Sequence, residues 1–450
     1  MSARRLRRSR GLRVTLVSRI FLPEPSAASF RLAALVRALA DDGARVDVLT
    51  TSPGPGVEQV EGAADGEGPG DAGRSSTGPA GEALCDGMPA RVRRAPVLRD
   101  ATGYVRGYLP YLSFDVPLIW RLLRTRRPDV VVVEPPPTTG AVARLVCAVR
   151  RLPYVYYAAD VWSDASAATG APALVVRLLR AVERFALRGA AAVLSVNDGV
   201  SERVRELGAR QVATVGNGVD TGIFHRTDTP HPADDRLQHE SESAAWQKDQ
   251  QVPNRTADDR PGGSEGPFLL YAGTASEWQG AEIFARAMPR VLREVPDARL
   301  VYLGQGSSWP ALRALADELP AGAVQLRDPV DAATSAVWQR AARAAVVSLK
   351  PGIGYDFAMP TKMFAALGCG TPVLFAGPGP ARELVRTENL GQATDYDVEE
   401  VAAAMITALR SPPPAAERDR LAAWTHQHRS LAAVGRRGAE AIAGAAACAD

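Results

Sequence analysis

The residues with the clearest chemical potential lie in one stretch, residues 349–373, which reads LKPGIGYDFAMPTKMFAALGCGTPV. The apolar run that ends at Leu349 is typical of a buried parallel strand, and a helical pattern begins near Lys362. We expect Thr361 to cap that helix. Free N–H groups at a helix start attract anions, and the Lys362 ammonium adds a full positive charge there. The stretch therefore predicts an anion site that suits a diphosphate.

A second loop of the same kind lies earlier in the chain. Residues 268–272 (FLLYA) predict a strand, residues 273–280 (GTASEWQG) a glycine-bounded loop, and the following residues a helix. This loop again meets a helix start, where phosphate can bind. Because the loop carries Glu277 and Gln279 and no cation, Lys350 and Lys362 would have to supply the positive charge.

Two carboxylates, Asp160 and Asp164, follow the strand pattern of residues 152–158 and flank Trp162. Asp160 is a candidate for a catalytic or acceptor-orienting carboxylate, and a structural aspartate that caps the following turn is the alternative. The loop at residues 19–29 follows the first predicted strand and should face a cleft, because ligands bind beyond the carboxyl ends of strands in open α/β sheets. Its small residues, SAA at 26–28, permit close approach of a ligand, although an ordinary strand–helix loop fits equally well.

Residues 360–373 resemble the nucleotide-binding segment of the GT-B glycosyltransferases, specifically the large family 4 of retaining enzymes. The family pattern is Pro-Ser-Lys, two apolar residues, Glu, and then Gly-x-Pro-Val. This chain reads Pro-Thr-Lys-Met-Phe-Ala at 360–365 and Gly-Thr-Pro-Val at 370–373. Ala365 stands where the family has the glutamate that holds the donor ribose, and Asp356 matches the family's earlier acidic residue.

Further segments extend the resemblance over most of the chain outside two polar insertions. Asp160 and Trp162 match the family's Asp-Leu-Trp, whereas Ala159 stands at its His or Arg position. Residues 216–220 resemble the Asn-Gly-Val-Asp turn at the hinge between the family's two domains, and the Gln-Gly at 279–280 is similar to a branch that includes bacterial amino-sugar transferases. The resemblance implies donor binding by Gly273, Thr274, Gln279, Lys350, Asp356, Thr361 and Lys362. It implies base contacts at Asp328 and Val330, acceptor contacts at Ser26, Ala27 and Trp162, and Asp160 as the catalytic residue.

The resemblance implies an α/β protein of the GT-B class, with two Rossmann-like doubly wound domains facing a central cleft and two disordered polar insertions. The expected order is a basic tail at 1–11, an acceptor domain at 12–224 with an insertion at 53–89, a disordered linker at 225–267, a nucleotide-sugar domain at 268–412, and closing helices at 413–450 that cross back to the first domain.

Composition limits the partners and the cell compartment to be expected for this chain. The formal net charge of +3 is too small to predict a nucleic-acid partner. The four cysteines form no CxxC or metal-ligand spacing, which favours a reducing cytoplasm without disulfides. No apolar run reaches transmembrane length. The basic start of the chain reads as a solvated tail, with weak attachment to anionic lipid at the inner face of the membrane as the alternative.

The function implied by the resemblance is transfer of a sugar from a nucleotide-diphosphate donor to a glycan, lipid-linked or small-molecule acceptor. A UDP- or GDP-sugar is expected, with UDP-N-acetylhexosamine favoured, and transfer should retain configuration without metal or another cofactor. Two alternatives stay open: a catalytically impaired partner or scaffold, suggested by Ala159 and Ala365, and a nucleotide-sugar epimerase, which the scarcity of histidine disfavours. A dinucleotide oxidoreductase is disfavoured because no G-x-G-x-x-G follows a strand with an acidic residue downstream.

Overall fold

The computed structural model describes residues 11–24, 26–54, 88–100, 105, 107–168, 171–226 and 266–448. Most of the two segments predicted to be disordered (residues 55–87 and 227–265), and all but the last residue of the basic tail, lie outside these residues. Contacts divide the chain into two units, Met1–Gly216 with Leu431–Asp450, and Asn217–Ser430. The sequence had suggested a boundary after residue 224. The division falls earlier because the Val219 amide donates to the Arg429 carbonyl at 2.8 Å, which ties the turn to the second unit.

The first unit contains one parallel sheet of seven strands within its described residues, in the order β3-β2-β1-β4-β5-β6-β7. In this sheet Val14 lies opposite both Val46 and Val130. The apolar run Val130–Val133 is buried throughout, as expected for a strand covered by helices on both faces. The strands are β1 (Arg13–Val17), β2 (Arg45–Thr51), β3 (Ala90–Ala95), β4 (Val130–Val133), β5 (Tyr154–Ala158), β6 (Ala192–Ser195) and β7 (Val212–Thr214).

Helices connect these strands and cover the sheet. They are α1 (Ala27–Asp41), α2 (Tyr108–Arg124), α3 (Pro137–Arg150), α4 (Trp162–Ala168), α5 (Ala173–Gly189) and α6 (Asp198–Glu206). The connection from β1 through α1 to β2 runs toward one edge, whereas those through α2, α3 and α5 run toward the other. Because such crossovers are right-handed, α1 lies on one face of the sheet and α2, α3 and α5 lie on the other.

Two helices of the first unit begin in different ways. Helix α3 begins after Pro136 without a side-chain cap, and Thr138 and Thr139 lie inside it. Asn197 caps α6 by accepting from the Val200 amide at 2.8 Å.

The second unit has a parallel sheet of six strands among its described residues, in the order β10-β9-β8-β11-β12-β13. The strands are β8 (Phe268–Ala272), β9 (Arg299–Leu303), β10 (Val324–Arg327), β11 (Ala344–Ser348), β12 (Val373–Ala376) and β13 (Gly391–Thr394). The helices are α7 (Glu282–Glu294), α8 (Trp309–Asp317), α9 (Ala332–Ala341), α10 (Lys362–Gly368), α11 (Pro380–Thr387), α12 (Val398–Arg410) and α13 (Ala415–Arg429). A 3-10 turn at Glu277–Gln279 precedes α7.

Both sheets reverse their strand order at one point, between β1 and β4 in the first unit and between β8 and β11 in the second. At such a point the two flanking loops diverge and leave a crevice outside the carboxyl ends of the strands. Each unit is therefore doubly wound, as the sequence predicted, and each has one favoured place for a ligand. Among the described residues, no helix combines the length and the apolar character needed to cross a bilayer.

The last helix, α14 (Leu431–Ala447), belongs to the first unit and packs against α1. The preceding α13 stays with the second unit, so only one of the closing helices returns. Gly435 makes the close approach possible, because a Cβ there would lie 2.4 Å from the Ala34 carbonyl oxygen. The same helix contains Gly444, where a Cβ would meet nothing within 4 Å.

These two glycines provide a matched test of the packing of α14. We expect Gly435→Ala to destabilise the first unit by about 1–3 kcal/mol, because the added methyl forces α14 away from α1. Gly444→Ala should be neutral or stabilising by up to about 1 kcal/mol, since alanine favours the helix. Thermal melting followed by circular dichroism would compare them. Equal melting temperatures for the two variants would contradict the packing argument.

Candidate functional site

Lys362 stands at the centre of the site in the second unit. Its Nζ donates to the Tyr271 hydroxyl at 2.7 Å and to the Thr274 carbonyl at 2.8 Å, and lies 3.5 Å from Gln279 Oε1. All three partners are neutral, and no carboxylate in the described part of the chain forms an ion pair with this lysine. Burial of the side chain lowers the pKa of Lys362 from 10.5 to about 7. The site therefore holds a cation with no counter-charge.

Glycines bring the loop after β8 to this lysine. A Cβ at Gly304 would lie 2.3 Å from the Gly273 carbonyl oxygen, and one at Gly306 would lie 2.1 Å from that of Ala275. Both glycines have positive φ, which is strained for other residues. The Ala275 amide can then donate to the Gln305 carbonyl at 2.8 Å. This contact holds the loop where its Thr274 carbonyl reaches Lys362.

Gln279, predicted to bind the donor, is buried beneath the loop. Its Oε1 accepts from the Tyr271 hydroxyl at 3.0 Å and from the Ser276 amide at 3.1 Å. Together with Ser276 it forms a capping box for the 3-10 turn. Gln279 thus fixes both the loop and Tyr271, and through Tyr271 it positions the ammonium of Lys362.

The loop after β11 forms the other side of the site. Lys350 is exposed, and its amide donates to the Trp278 carbonyl at 3.1 Å. The Asp356 carboxylate accepts from the Gly352 amide at 3.2 Å, which closes the loop on itself. Tyr355 stacks on Trp278 with ring centroids 4.9 Å apart. These contacts join the Lys350 loop to the 3-10 turn that contains Gln279.

The predicted cap at Thr361 is wrong. Thr361 has helical dihedral angles, φ −65° and ψ −23°, and its side chain makes no capping bond. A capping side chain needs an extended backbone at its own residue, which this position lacks. The Thr361 carbonyl instead accepts from the Phe364 amide at 3.0 Å, and the exposed residue leaves its hydroxyl accessible.

The predicted base-contacting residues lie apart from this cluster. Asp328 is exposed in the loop after β10, and half-buried Val330 packs against an apolar cluster that includes Trp338. Strand β10 is separated from β8 by β9. The structure thus brings Gly273, Thr274, Gln279 and Lys362 together, sets Lys350, Asp356 and Thr361 on the adjoining loop, and leaves Asp328 and Val330 two strands away.

Tyr271 is the functional residue that sequence reasoning missed in this unit. It lies fully buried in β8, and burial raises the pKa of its hydroxyl. The hydroxyl therefore stays protonated, accepts from Lys362 and donates to Gln279. The sequence did contain one indication of its role. A tyrosine stands in an apolar strand just before a glycine loop, at a position where phenylalanine would have packed equally well.

In the first unit, Asp160 follows β5 and reaches solvent. The structural role considered for it, capping the next turn, is filled instead by Glu183, whose carboxylate accepts from the Trp162 and Ser163 amides at 2.8 and 3.1 Å. Within the described residues Asp160 has no hydrogen-bond partner. Protein around its carboxyl removes enough water to raise its pKa, although the charge of Arg31 acts in the opposite direction.

A buried ion pair stands beside Asp160 at the switch point of the first sheet. Arg31 donates to Glu134 Oε1 at 2.8 Å, and the Ser18 hydroxyl donates to Glu134 Oε2 at 2.7 Å. The Arg31 guanidinium also lies 5.1 Å from the centre of the Tyr157 ring. Ser18 follows β1 and Glu134 follows β4, so this pair was not visible in any local motif.

The predicted acceptor residues occupy the same edge of the sheet. Ser26 caps α1 by accepting from the Ser29 amide at 3.0 Å, and Ala27 is exposed at the first turn. Trp162 opens α4, and the Arg19 guanidinium lies 5.6 Å from the centre of its ring and 4.7 Å from that of Tyr111. Ser26 therefore has a structural role, whereas Trp162 contributes to an aromatic–cation cluster at the carboxyl end of β5.

Family models match both units. A model described as "Glycosyl transferase 4-like domain" matches residues 26–218, and one described as "Glycosyl transferases group 1" matches residues 266–411. The chain belongs to the GT-B glycosyltransferases. The two matches cover most of both doubly wound units of this transferase and include the Lys362 site and Asp160. No curated protein matches the sequence.

Solved structures share the transferase's fold at low sequence identity. A glycosyltransferase from Rickettsia africae superimposes with a TM-score of 0.62 at 11% identity, covering 97% of this chain and 98% of that one. HepE from Anabaena, in complex with UDP-glucose, gives 0.58 at 14% identity, covering 96% and 100%. A candidate UDP-N-acetylglucosamine 2-epimerase from Listeria monocytogenes gives 0.53 at 15% identity, covering 94% of each. At these identities the likeness shows the GT-B fold.

The low pKa of Lys362 can be measured directly, because the transferase contains only three lysines, at 248, 350 and 362. Reductive methylation with 13C-formaldehyde labels their amines for NMR, and Lys362→Arg identifies the resonance of Lys362. We expect that resonance to titrate near pH 7 in the free protein, because burial disfavours the charged form. Titration near the ordinary value of 10.5 would show that the ammonium is well hydrated and would contradict the site geometry.

Proposed function

We propose that the transferase moves a sugar from a UDP- or GDP-sugar, with UDP-N-acetylhexosamine favoured, to a glycan, lipid-linked or small-molecule acceptor. The observation that carries this proposal is the Lys362 ammonium, held by neutral oxygens with no counter-charge. A dianionic diphosphate supplies the missing charge. The UDP-glucose bound by HepE and the resemblance of Gln279-Gly280 to amino-sugar transferases support the choice of donor.

In this proposal Lys362 binds the diphosphate, with Gly273, Thr274 and Thr361 around it. Lys350, exposed on the adjoining loop, adds a second cation, and Asp356 holds that loop closed. The base would extend toward Asp328 and Val330. Because Ala365 has no carboxylate for the ribose, the diphosphate contacts provide more of the donor's binding than in relatives that have the glutamate.

Negative charge grows on the diphosphate as the bond to the sugar breaks, so cations placed there stabilise the transition state. Lys362 and Lys350 would balance that charge without a metal ion. Retention of the anomeric configuration follows from the family resemblance, and the proton NMR coupling constant at the new anomeric centre would test it. Gln279 and Tyr271 would act by holding Lys362 in place.

Asp160 is proposed as the catalytic or acceptor-orienting carboxylate. It is accessible to solvent, free of a structural hydrogen bond among the described residues, and has a raised pKa because of desolvation. A carboxyl with a raised pKa can accept a proton from an acceptor hydroxyl more readily. The charge of Arg31 limits how far that pKa rises, while the charge of its partner Glu134 adds to the rise.

Donor affinity should depend on pH. Lys362 loses its proton above about pH 7 in the free protein, and a bound diphosphate restores the charge, so binding takes up a proton. We expect the affinity for UDP-glucose, measured by calorimetry, to fall by up to about tenfold per pH unit between pH 7 and 9. Lys362→Arg stays charged and should remove this dependence, whereas Lys362→Met should weaken binding at every pH. An unchanged affinity in Lys362→Met would contradict the proposed diphosphate contact.

Asp160→Asn tests the catalytic proposal separately. We expect turnover of the donor to fall by at least about a hundredfold, because the amide cannot accept a proton. Donor affinity should stay within twofold of the parent, since Asp160 lies in the other unit from Lys362. Release of nucleotide diphosphate, measured with a coupled assay and a panel of acceptors, reports turnover. A fully active variant would show that the carboxylate lies elsewhere.

An epimerase is the second candidate, because the Listeria monocytogenes protein shares the fold. Proton NMR of UDP-N-acetylglucosamine incubated with the transferase, with and without the panel of acceptors, separates the two functions. Appearance of a second UDP-N-acetylhexosamine without acceptor would favour the epimerase, and release of UDP that increases with an acceptor would favour transfer. Binding of the donor without either product, even with the acceptor panel, would favour a catalytically impaired partner or scaffold.

A further inference from the structure

Most of the exposed large apolar side chains in the described part of the chain lie on three helices of the first unit, α2, α3 and α5. On α2, Leu109 is 71% and Trp120 62% exposed. The inner residues of this helix, such as Phe114, are buried. The exposed apolar residues are Leu109, Leu112, Val116, Ile119, Trp120 and Leu123 on α2, Leu145 and Val149 on α3, and Leu174, Leu178 and Phe185 on α5.

The exposed charges on these helices all have one sign. The acidic residues on them are Asp115 and Glu183, and both are buried. Arginines supply the remaining charge, and Arg177 and Arg184 are exposed without an ion-pair partner among the described residues. A cavity of about 570 Å3 between α3 and α5 is lined by Arg144, Arg177, Arg180, Arg184, Phe185 and Arg188. Arg180 is paired with Asp164 at 3.3 Å. The other arginines around the cavity repel one another unless an anion binds there.

Apolar and basic side chains are interleaved along this surface. Arg124 lies with its guanidinium 5.4 Å from the centre of the exposed Trp120 ring, and Arg144 lies 4.0 Å from that of Phe185. Contacts join α2 to α3 and α3 to α5, so the three helices form one continuous face. The right-handed crossovers put this face opposite the one covered by α1 and α14.

We propose that this face, the arginine–apolar face of α2, α3 and α5, docks on a membrane surface that contains anionic phospholipids. Leucine, valine and tryptophan side chains would enter the interface between headgroups and acyl chains, as amphipathic helices do. Arginine stems pack beside them while the guanidinium groups bind lipid phosphates. A water-exposed apolar area of this extent with a single sign of charge has no other evident benefit for the transferase.

An anionic bilayer fits this face better than a protein partner does. A bilayer accepts a wide, irregular set of apolar side chains and offers phosphates to every arginine, including those around the cavity. A protein would need its own matched set of acidic residues to avoid burying several unpaired guanidinium groups. The proposal concerns the first unit alone, so it stands whether or not the diphosphate site acts as described.

Sedimentation of the full-length transferase with phosphatidylcholine vesicles, with or without phosphatidylglycerol, tests the proposal. We expect binding only when phosphatidylglycerol is present, and weaker binding as salt increases. Arg177→Glu with Arg184→Glu should weaken binding by more than about tenfold. Leu112→Ser with Trp120→Ser should weaken it too, without the same change in salt dependence. These side chains are exposed, so thermal melting should show that each variant still folds.

Arg436→Glu is the control, because this arginine is exposed on α14, on the other face of the sheet. Its binding should stay within twofold of the parent, and donor affinity should be unchanged in every variant. The proposal is overturned if the parent does not bind, if it binds phosphatidylcholine equally, or if Arg436→Glu loses as much as the double arginine variant. It is also overturned if the parent is a dimer without lipid and Trp120→Ser makes it a monomer.

Discussion

An ammonium group held by neutral oxygens and by the face of the Tyr271 ring, with no ion-pair partner in the described part of the chain, is the constraint on which the second unit depends. Lys362 lies among the Tyr271 hydroxyl, the Thr274 carbonyl and Gln279, which solvate the charge but do not neutralise it. Burial without a counter-ion is costly, and the lowered pKa of Lys362 expresses that cost. The partners of Lys362 stay in place because the glycines at 304 and 306 and the capping box at 276–279 fix the loop after β8.

The two units share one topology, but they differ in whether the cation near the switch point of the sheet has a carboxylate partner. In the second unit Lys362 has no ion-pair partner among the described residues, whereas in the first Arg31 is paired with Glu134 at 2.8 Å. An arginine paired with a carboxylate attracts a further charge weakly, and a lysine without such a partner attracts an anion more strongly. This difference supports the proposal that the diphosphate binds in the second unit. The first unit offers the Asp160 carboxyl and the Trp162–Arg19 cluster, which suit a neutral acceptor rich in hydroxyl groups.

The apolar runs and glycine loops predicted the strand and loop before Lys362 and its position at the start of α10, because these depend on local periodicity and turn residues. The family resemblance predicted the two doubly wound units. Tyr271, Glu183 and the Arg31–Glu134 pair were missed, because each acts through a partner distant in sequence. The cap at Thr361 was predicted wrongly, since residue type does not report that its backbone is already helical. The spacing of residues along α2 does not show which face is uncovered, so the exposure of Trp120 is established only by the structure.

Ala365 affects both the charge of the Lys362 site and the packing beside it. It is half-buried beside the apolar cluster that contains Phe364 and Leu367, one turn from Thr361. A glutamate there would place a second negative charge near the diphosphate that Lys362 is proposed to bind, in exchange for bonds to the ribose. Without it, the potential around Lys362 is more positive, which supports the proposal that donor recognition depends on the diphosphate more than on the ribose. In a site that selects its ligand by charge, the protonation state of one lysine would set the affinity.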